Sequence, residues 1–371
     1  HALQDGKNTR QSVNEPELVA LAYDADLLGI IEQALKGLQG YGIMALELIQ
    51  NADDAGARYL SFDVRDDALV VRNNETFSSC GLTEPQCPWS KSGDPEGLKR
   101  PCNFHAISRI GSRSKLKAVE QTGRFGIGFV SVYQITDMPI IRSASIELRL
   151  DPQTGRALQA KAAHATGSEF RFPWASAKSE VRDGLNASPT PPDVAEKVVK
   201  EIDKVLRGSL LFLRHLERVD LCRQGERIVA VDIKRESDEV ALHFSPEGVT
   251  HRWLVLSRSA DDIIAAKGLL ERFEKLRSLD RSTVVNVAVP LDGGSVDGLI
   301  YAYLPTRQAT EMPIHFNGDF FPHASRQAIV LEGGQHEPYW NRALIETAAA
   351  ALSENFVLIR DRLGAVRLWE L

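Results

Sequence analysis

Glu47, Asn51 and Asp54 fall on one face of a helical pattern in Glu-Leu-Ile-Gln-Asn-Ala-Asp-Asp-Ala-Gly, residues 47–56, at i, i+4, i+7 spacing. Leu48, Ala52 and Ala55 share another face at the same spacing and can pack on a sheet. Asn51 offers a neutral oxygen to hydrated Mg²⁺, a cation that takes hard oxygen ligands and keeps several waters. Glu47 is placed to orient or deprotonate an attacking water. Taken alone, the decamer reads first as a solvated polar face closed by Gly56.

A second constellation lies in Thr122-Gly-Arg-Phe-Gly-Ile-Gly-Phe129. Gly123, Gly126 and Gly128, with Arg124, Phe125 and Ile127 between them, let backbone N–H groups approach an anion, and the following helix N-terminus favours negative charge. No Gly-Lys-Ser/Thr follows, so this is not a Walker A loop. No strand runs directly into it, which departs from a dinucleotide fingerprint.

The third is Cys80, Cys87, Cys102 and His105, spaced C-x6-C-x14-C-x2-H, whereas Cys222 stands apart. Three thiolates and an imidazole match a structural Zn²⁺ set. The first pair is spaced more widely than usual, and three reduced thiols beside a surface histidine is the competing reading. Crowding of these residues in one segment puts zinc ahead.

The elements that must position these groups follow from pattern. Residues 1–24 are polar and read as an arm; 25–38 and 41–55 read as helices; 59–64 and 68–72 alternate like a hairpin. The segment 73–117 is too long for an idle loop and reads as a lid or insert, with its Cys-rich part at 78–118. Residues 130–135 have helical pattern, and 139–150 and 168–172 read as strands. Ser, Pro, Asp and Asn cluster at 178–192, which places a boundary between domains at 25–185 and 190–371. The second half reads as mixed α+β: helices at 194–206, 260–276 and 340–354, and strands at 228–234, 240–244, 253–257, 284–289 and 299–304.

Composition narrows the classes. The 371 residues suffice for two cores, and 43% hydrophobic with 25% charged residues is ordinary for a globular protein. A net charge of −6 argues against broad nucleic-acid backbone binding, although Lys99, Arg100, Arg109, Arg113, Lys115 and Lys117 make a local basic set. The apolar runs 210–213 and 284–291 are too short to span a bilayer, and no signal-peptide pattern opens the chain, so a cytoplasmic location is expected. A start at His1 rather than Met, and an abrupt end, suggest an N-terminal fragment of a larger protein.

The order of these motifs resembles the GHKL ATPases, which include type II topoisomerases, MutL, histidine kinases and heat-shock chaperones. The similarity is strongest to the sacsin-type branch, on Leu48-Ile-Gln-Asn-Ala-Asp-Asp-Ala-Gly-Ala57, Ile107-Ser-Arg-Ile-Gly-Ser-Arg-Ser-Lys115, Gly123-Arg-Phe-Gly-Ile-Gly-Phe-Val-Ser-Val-Tyr-Gln-Ile-Thr-Asp137 and Gly167-Ser-Glu-Phe-Arg-Phe-Pro173. Tyr303-Leu-Pro-Thr306 and the stretch from Pro313 to Ile329 resemble the same branch. The resemblance implies a Bergerat-type two-layer sandwich, helices on a mixed, largely antiparallel sheet, followed by a transducer-like α+β domain. It implies Mg²⁺-dependent ATP binding and slow hydrolysis, with lid closure and a homodimer that clamps on ATP. Glu47 would then be the general base, Asn51 the Mg²⁺ ligand, Asp54 a supporting residue, Lys115 a lid lysine at the phosphates, and Ser168 an adenine contact. Asn74 stands where relatives carry the adenine-binding Asp, so the charge-assisted bond is lost. Arg326, with Arg307 behind it, is the candidate basic residue for the γ-phosphate, against the alternative of a surface arginine. His315 and His323 read as packed structural residues. A nucleotide-gated binding module with little turnover is the alternative function, and chaperone-like or antiviral defence work are the settings this branch suggests.

Overall fold

The computed structural model describes residues 26–109, 128–292, 296–323 and 327–369. Helix α1 (Leu27–Gly37) starts where the Asp26 carboxylate accepts the Gly29 N–H at 3.0 Å, a side-chain N-cap. Helix α2 (Tyr41–Asp54) follows, then the antiparallel hairpin β1 (Tyr59–Val64) and β2 (Ala68–Asn73). Leu60, Phe62 and Val64 alternate along β1 and are fully buried in the core shared with α1 and α2. After β2 come two short helices, α3 (Trp89–Ser92) and α4 (Asn103–Ile107). The helical pattern at 130–135 is a 3₁₀ helix, Gly128–Gln134, rather than an α-helix.

Strands β3 (Ile140–Asp151) and β4 (Arg156–Pro173) form a hairpin far longer than the sequence pattern predicts. The first part of β4, Arg-Ala-Leu-Gln-Ala-Lys-Ala-Ala-His-Ala, is mostly exposed and rich in helix formers, so it lacks the alternation of a half-buried strand. Pairing to β3 overrides that local preference. Helices α5 (Glu180–Gly184) and α6 (Val194–Gly208) follow, and α6, which the sequence pattern groups with the second half, packs beside α2 in the first core.

The second half begins with β5 (Arg218–Arg223), a strand the pattern did not predict, and β6 (Glu226–Glu236), β7 (Glu239–Ser245) and β8 (Val249–Ser259) follow as a meander. The predicted helix at 260–276 breaks into α7 (Asp261–Ala266), α8 (Leu269–Arg272) and α9 (Glu274–Leu279), with Gly268 left-handed and Phe273 extended at the breaks. Next come β9 (Val284–Pro290), β10 (Leu299–Ala302), β11 (Leu304–Ala309) and β12 (His315–Asn317). The predicted strand at 299–304 is divided by Tyr303 at φ 66°. Helices α10 (His336–Glu354), α11 (Phe356–Leu363) and α12 (Ala365–Leu368) close the described chain.

The strands make one twelve-stranded, mostly antiparallel sheet, ordered β11-β10-β12-β9-β8-β7-β6-β5-β1-β2-β4-β3. The two halves meet where β1 pairs in parallel with β5, Tyr59 opposite Arg218 through Val64 opposite Arg223. One core gathers α1, α2 and α6 over β1, β2 and β5–β7; a second gathers α7–α10 over β8, β9, β10 and β12. No helix among the described residues is long and apolar enough to cross a membrane.

Two histidines of the second half part ways. His315 is buried between the rings of Trp253 and Tyr301, and its Nδ1 accepts the Leu299 N–H at 2.9 Å. His323, expected to pack likewise, has an exposed side chain. Burial lowers the His315 pKa from 6.5 to about 4. The folded state therefore binds this proton more weakly than the unfolded chain, so the contribution is intact above pH ~6.5 and is lost as pH falls toward 4. Denaturant unfolding across that window should show a pH-dependent loss on the order of 3 kcal/mol that His315→Gln lacks. Parallel pH profiles for the two proteins would exclude this role.

Candidate functional site

Helix α2 has two jobs, and its sequence divides them by face. Met44, Ala45, Leu48, Ile49 and Ala52 go into the core. Glu47, also buried, carries its carboxylate beside Gly128, the first residue of the 3₁₀ helix. A Cβ at position 128 would collide with Glu47 Oε2 and stand 2.5 Å from its Cδ, so only glycine allows this approach. Asn51 and Asp54 are half-buried further along the helix. Two of the predicted groups, the general-base candidate and the last glycine of the glycine-rich loop, are thus in direct contact.

The C-terminal end of the 3₁₀ helix is held from two sides. Gln134 donates to the Leu38 carbonyl at 2.7 Å and accepts from the Gly40 N–H at 2.8 Å, which ties it to the α1–α2 junction. The buried Arg182 donates to the Tyr133 and Thr136 carbonyls and to Asp137 Oδ1. Asp137 also accepts the Ser179 hydroxyl at 2.7 Å. Asp137 in the quoted motif is therefore a support for this turn.

Asp53 is the residue that sequence reasoning missed. Its carboxylate accepts the backbone N–H groups of Arg214, His215 and Leu216 at 2.8–3.1 Å, and its carbonyl lies 2.9 Å from His215 Nδ1. Arg235 approaches the same turn, donating to the Leu213 and Leu216 carbonyls at 2.9 Å. Burial pulls the Arg235 pKa below its ordinary value, with Asp53 acting in the opposite direction. The clue was available: two acids end α2, its last turn has no basic residue, and the helix dipole disfavours carboxylates there. Such a placement calls for a partner from elsewhere.

The groups assigned to adenine are held differently. Asn74 Oδ1 accepts the Arg58 and Tyr59 N–H groups, both at 2.9 Å, and so caps the start of β1. Ser168 is buried and donates to the Glu75 carbonyl at 2.7 Å, with Ser143 Oγ at 3.0 Å. Gly167, at φ +81°, passes so close to the Asn73 carbonyl that a Cβ could not fit. These contacts fasten the β2–β4 junction. Lys115, Gly123, Arg124, Phe125, Gly126, Ile127 and Arg326 lie outside the described residues. Arg307 is exposed on β11.

The Cys/His set does converge. One ligand atom from each of Cys80, Cys87, Cys102 and His105 lies within 4.8 Å of all the others. Cys102 Sγ is 3.7 Å from Cys80 Sγ and 3.2 Å from His105 Nδ1, and Cys80 Sγ is 3.4 Å from that nitrogen. His105 Nε2 faces the Glu84 carbonyl at 3.0 Å, and Cys87 Sγ accepts the Cys102 N–H at 3.2 Å. Burial, then the neighbouring thiols, push Cys80 up to about 11. For Cys87 burial also works upward, but the Cys102 and Trp89 N–H groups overcome it and hold that thiol below its ordinary value.

Comparison with known proteins covers mainly this first half. Residues 24–166 match the family model of the sacsin domain. Human sacsin is 37% identical over 108 residues, 29% of this chain, and Protein NO VEIN of Arabidopsis thaliana is 30% identical over 118 residues, 30% of this chain. The chain spans 2% of the length of the first and 4% of the second. A crystal structure of the N-terminal domain of a DNA repair protein aligns over 90% of this chain and 98% of that one, at 12% identity and a TM-score of 0.44, too loose a likeness to bear on function. The sacsin-domain stretch contains α1, α2, the Cys/His set and the 3₁₀ helix, and it ends one residue before Gly167.

Two measurements test how this site is built. Gly128→Ala should lower stability by about 1–3 kcal/mol in denaturant unfolding, and Glu47→Ala in the same chain should recover part of that loss. Strict additivity of the two changes would mean that the contact does not govern position 128. Asp53→Ala strands several backbone donors and should cost about 2–4 kcal/mol, with more rapid amide exchange at 214–216. An unchanged unfolding midpoint would remove Asp53 as the tie between α2 and that turn.

Proposed function

We propose that the first half is a Bergerat-type nucleotide-binding domain of the GHKL class, and that the protein binds ATP with Mg²⁺ and hydrolyses it slowly. The observation that carries this is the buried Glu47 carboxylate packed against Gly128, where the glycine-rich loop passes into the 3₁₀ helix. A general base for γ-phosphate hydrolysis needs to sit next to the phosphate-binding backbone, and the proximity of Glu47 to Gly128 supports that reading. The sacsin-domain match over residues 24–166 and the order of the quoted motifs support the same reading.

In this reading Glu47 takes a proton from the water that attacks the γ-phosphorus, the bond to the bridging oxygen breaks, and ADP and phosphate leave. The N–H groups of the glycine-rich loop would bind the phosphates, and the Asn51 oxygen would hold Mg²⁺, a cation that takes hard oxygen ligands. The metal would supply charge neutralisation on the phosphate oxygens. Asp54 supports Asn51 from the same face. A homodimer formed on ATP binding, a basic residue such as Arg326 from the second half and a cytoplasmic setting belong to the same proposal. So do chaperone-like or defence-associated roles in a longer protein.

A second reading, a nucleotide-gated binding module with little turnover, is favoured by the base-binding side. Asn74 Oδ1 already accepts two backbone N–H groups, and the Ser168 hydroxyl is spent on Glu75. An ATPase needs the adenine held by other groups or by rearrangement of these. Calorimetry and phosphate release on one preparation separate the two readings. For the ATPase, Glu47→Ala should keep ATP affinity within a few-fold and lose turnover by ~100-fold or more. Tight binding without phosphate release in the unmodified protein selects the binding module, and undiminished hydrolysis by Glu47→Ala removes the base assignment.

A further inference from the structure

The segment between β2 and residue 109 has little regular secondary structure. Its only helices among the described residues are α3 and α4, of four and five residues, too short to be stable alone. Its apolar side chains form one satellite cluster: Phe104, Cys87 and Cys102 meet Ile141, Leu148 and Leu150 of β3, the half-buried Leu82, Trp89 and Ile107 pack against them, and Phe77 stands edge-on to Phe104 and Phe170. Nevertheless Cys80, Cys87, Cys102 and His105, drawn from 26 residues of chain, turn their ligand atoms to one point.

The separations have chemical meaning. A tetrahedral ion with sulfur at ~2.3 Å and nitrogen at ~2.0–2.1 Å has ligand-to-ligand edges of roughly 3.8 Å between sulfurs and about 3.6 Å between sulfur and nitrogen. The observed edges, 3.7 Å for Cys102–Cys80 and 3.2 and 3.4 Å from the sulfurs to His105 Nδ1, are close to those values. They are far from the ~2.05 Å of a disulfide. His105 is also oriented as a ligand: its Nε2 meets the Glu84 carbonyl, which makes that nitrogen the protonated one and leaves the Nδ1 lone pair aimed at the thiols. The Cys102 N–H donates to Cys87 Sγ, as an amide does toward a metal-bound thiolate.

We infer that Cys80, Cys87, Cys102 and His105 form a closed, four-ligand structural Zn²⁺ site that folds residues 75–109 and fastens them to the β3–β4 hairpin. Four protein ligands leave no open position for a substrate, so the ion's role is mechanical. The ligands bind as thiolates and neutral imidazole, and the thiol protons leave to solvent as the ion enters. With the metal in place, residues 75–109 have a fixed base on the sheet. Gln159 on β4, donating to the Leu82 carbonyl at 3.1 Å, is an additional tie to the same hairpin. The site stands independently of nucleotide binding, and either can fail without the other.

The test is metal analysis of the full chain purified without chelator. About one zinc per chain is expected, retained by Cys222→Ser and lost in Cys80→Ser. Because loss of a ligand could unfold the segment, His105→Cys provides a second arm: it should keep the ion, and after cobalt exchange its visible and thiolate-to-metal bands should change from a three-thiolate to a four-thiolate pattern. Chelation of the unmodified protein should speed tryptic cleavage at Lys91 and Lys99 by ~10-fold or more. A chain without metal whose thiols all titrate freely, a mass two hydrogens lighter from a Cys–Cys bond, or cleavage indifferent to chelation would each overturn the inference.

Discussion

The carboxylate of Asp53 is the constraint on which the arrangement of the two halves depends. An acid in the last turn of a helix faces the unsatisfied carbonyl end of that helix, an unfavourable place unless donors are brought to it. The turn at 214–216 brings backbone N–H groups, and Arg235 satisfies the carbonyls on the turn's other side. Two residues further on, β5 begins and takes its parallel register against β1. One buried carboxylate therefore fixes the end of the motif helix, the start of the second half and the junction of a continuous sheet.

The same helix carries the candidate base while it is packed. Its apolar face requires burial against β1 and α6, which leaves Glu47 directed at the 3₁₀ helix rather than at open solvent. The glycine at 128 is what makes that tolerable, since any side chain there would displace the carboxylate. The position of the carboxylate and the residue type at 128 are thus coupled through steric exclusion. The supports behind it, Gln134 on the α1–α2 junction and Arg182 on the carbonyls either side of Gln134, are hydrogen bonds made largely to backbone.

Local pattern carried much of the fold. The α1 and α2 helices, the β1–β2 hairpin, α6 and most of the second-half strands follow from period and turn residues. Errors fall where distant partners decide. The exposed part of β4 reads like helix and becomes strand because β3 lies beside it. The stretch 260–276 has helical composition throughout, yet splits into three helices so that Ile264, Leu269 and Leu276 can all reach one core. At the candidate site, the spacing of Glu47, Asn51 and Asp54 was visible in one dimension, whereas the duties of Asn74 and Ser168 were not. Both side chains look available on paper and are used internally.

By itself, the sequence determined which residue types stand at helical spacing and that three cysteines and a histidine share one segment. Those are properties of neighbours along a chain, set by backbone period and composition. Only the tertiary structure decided that Glu47 touches Gly128, some eighty residues away, and that Asp53 ties the halves. It alone brought the four Cys/His ligand atoms within one ion's reach. The physical reason is that contact between distant residues depends on how faces pack and which polar groups must be satisfied once buried. Those demands are met across the whole fold and leave little trace in local spacing.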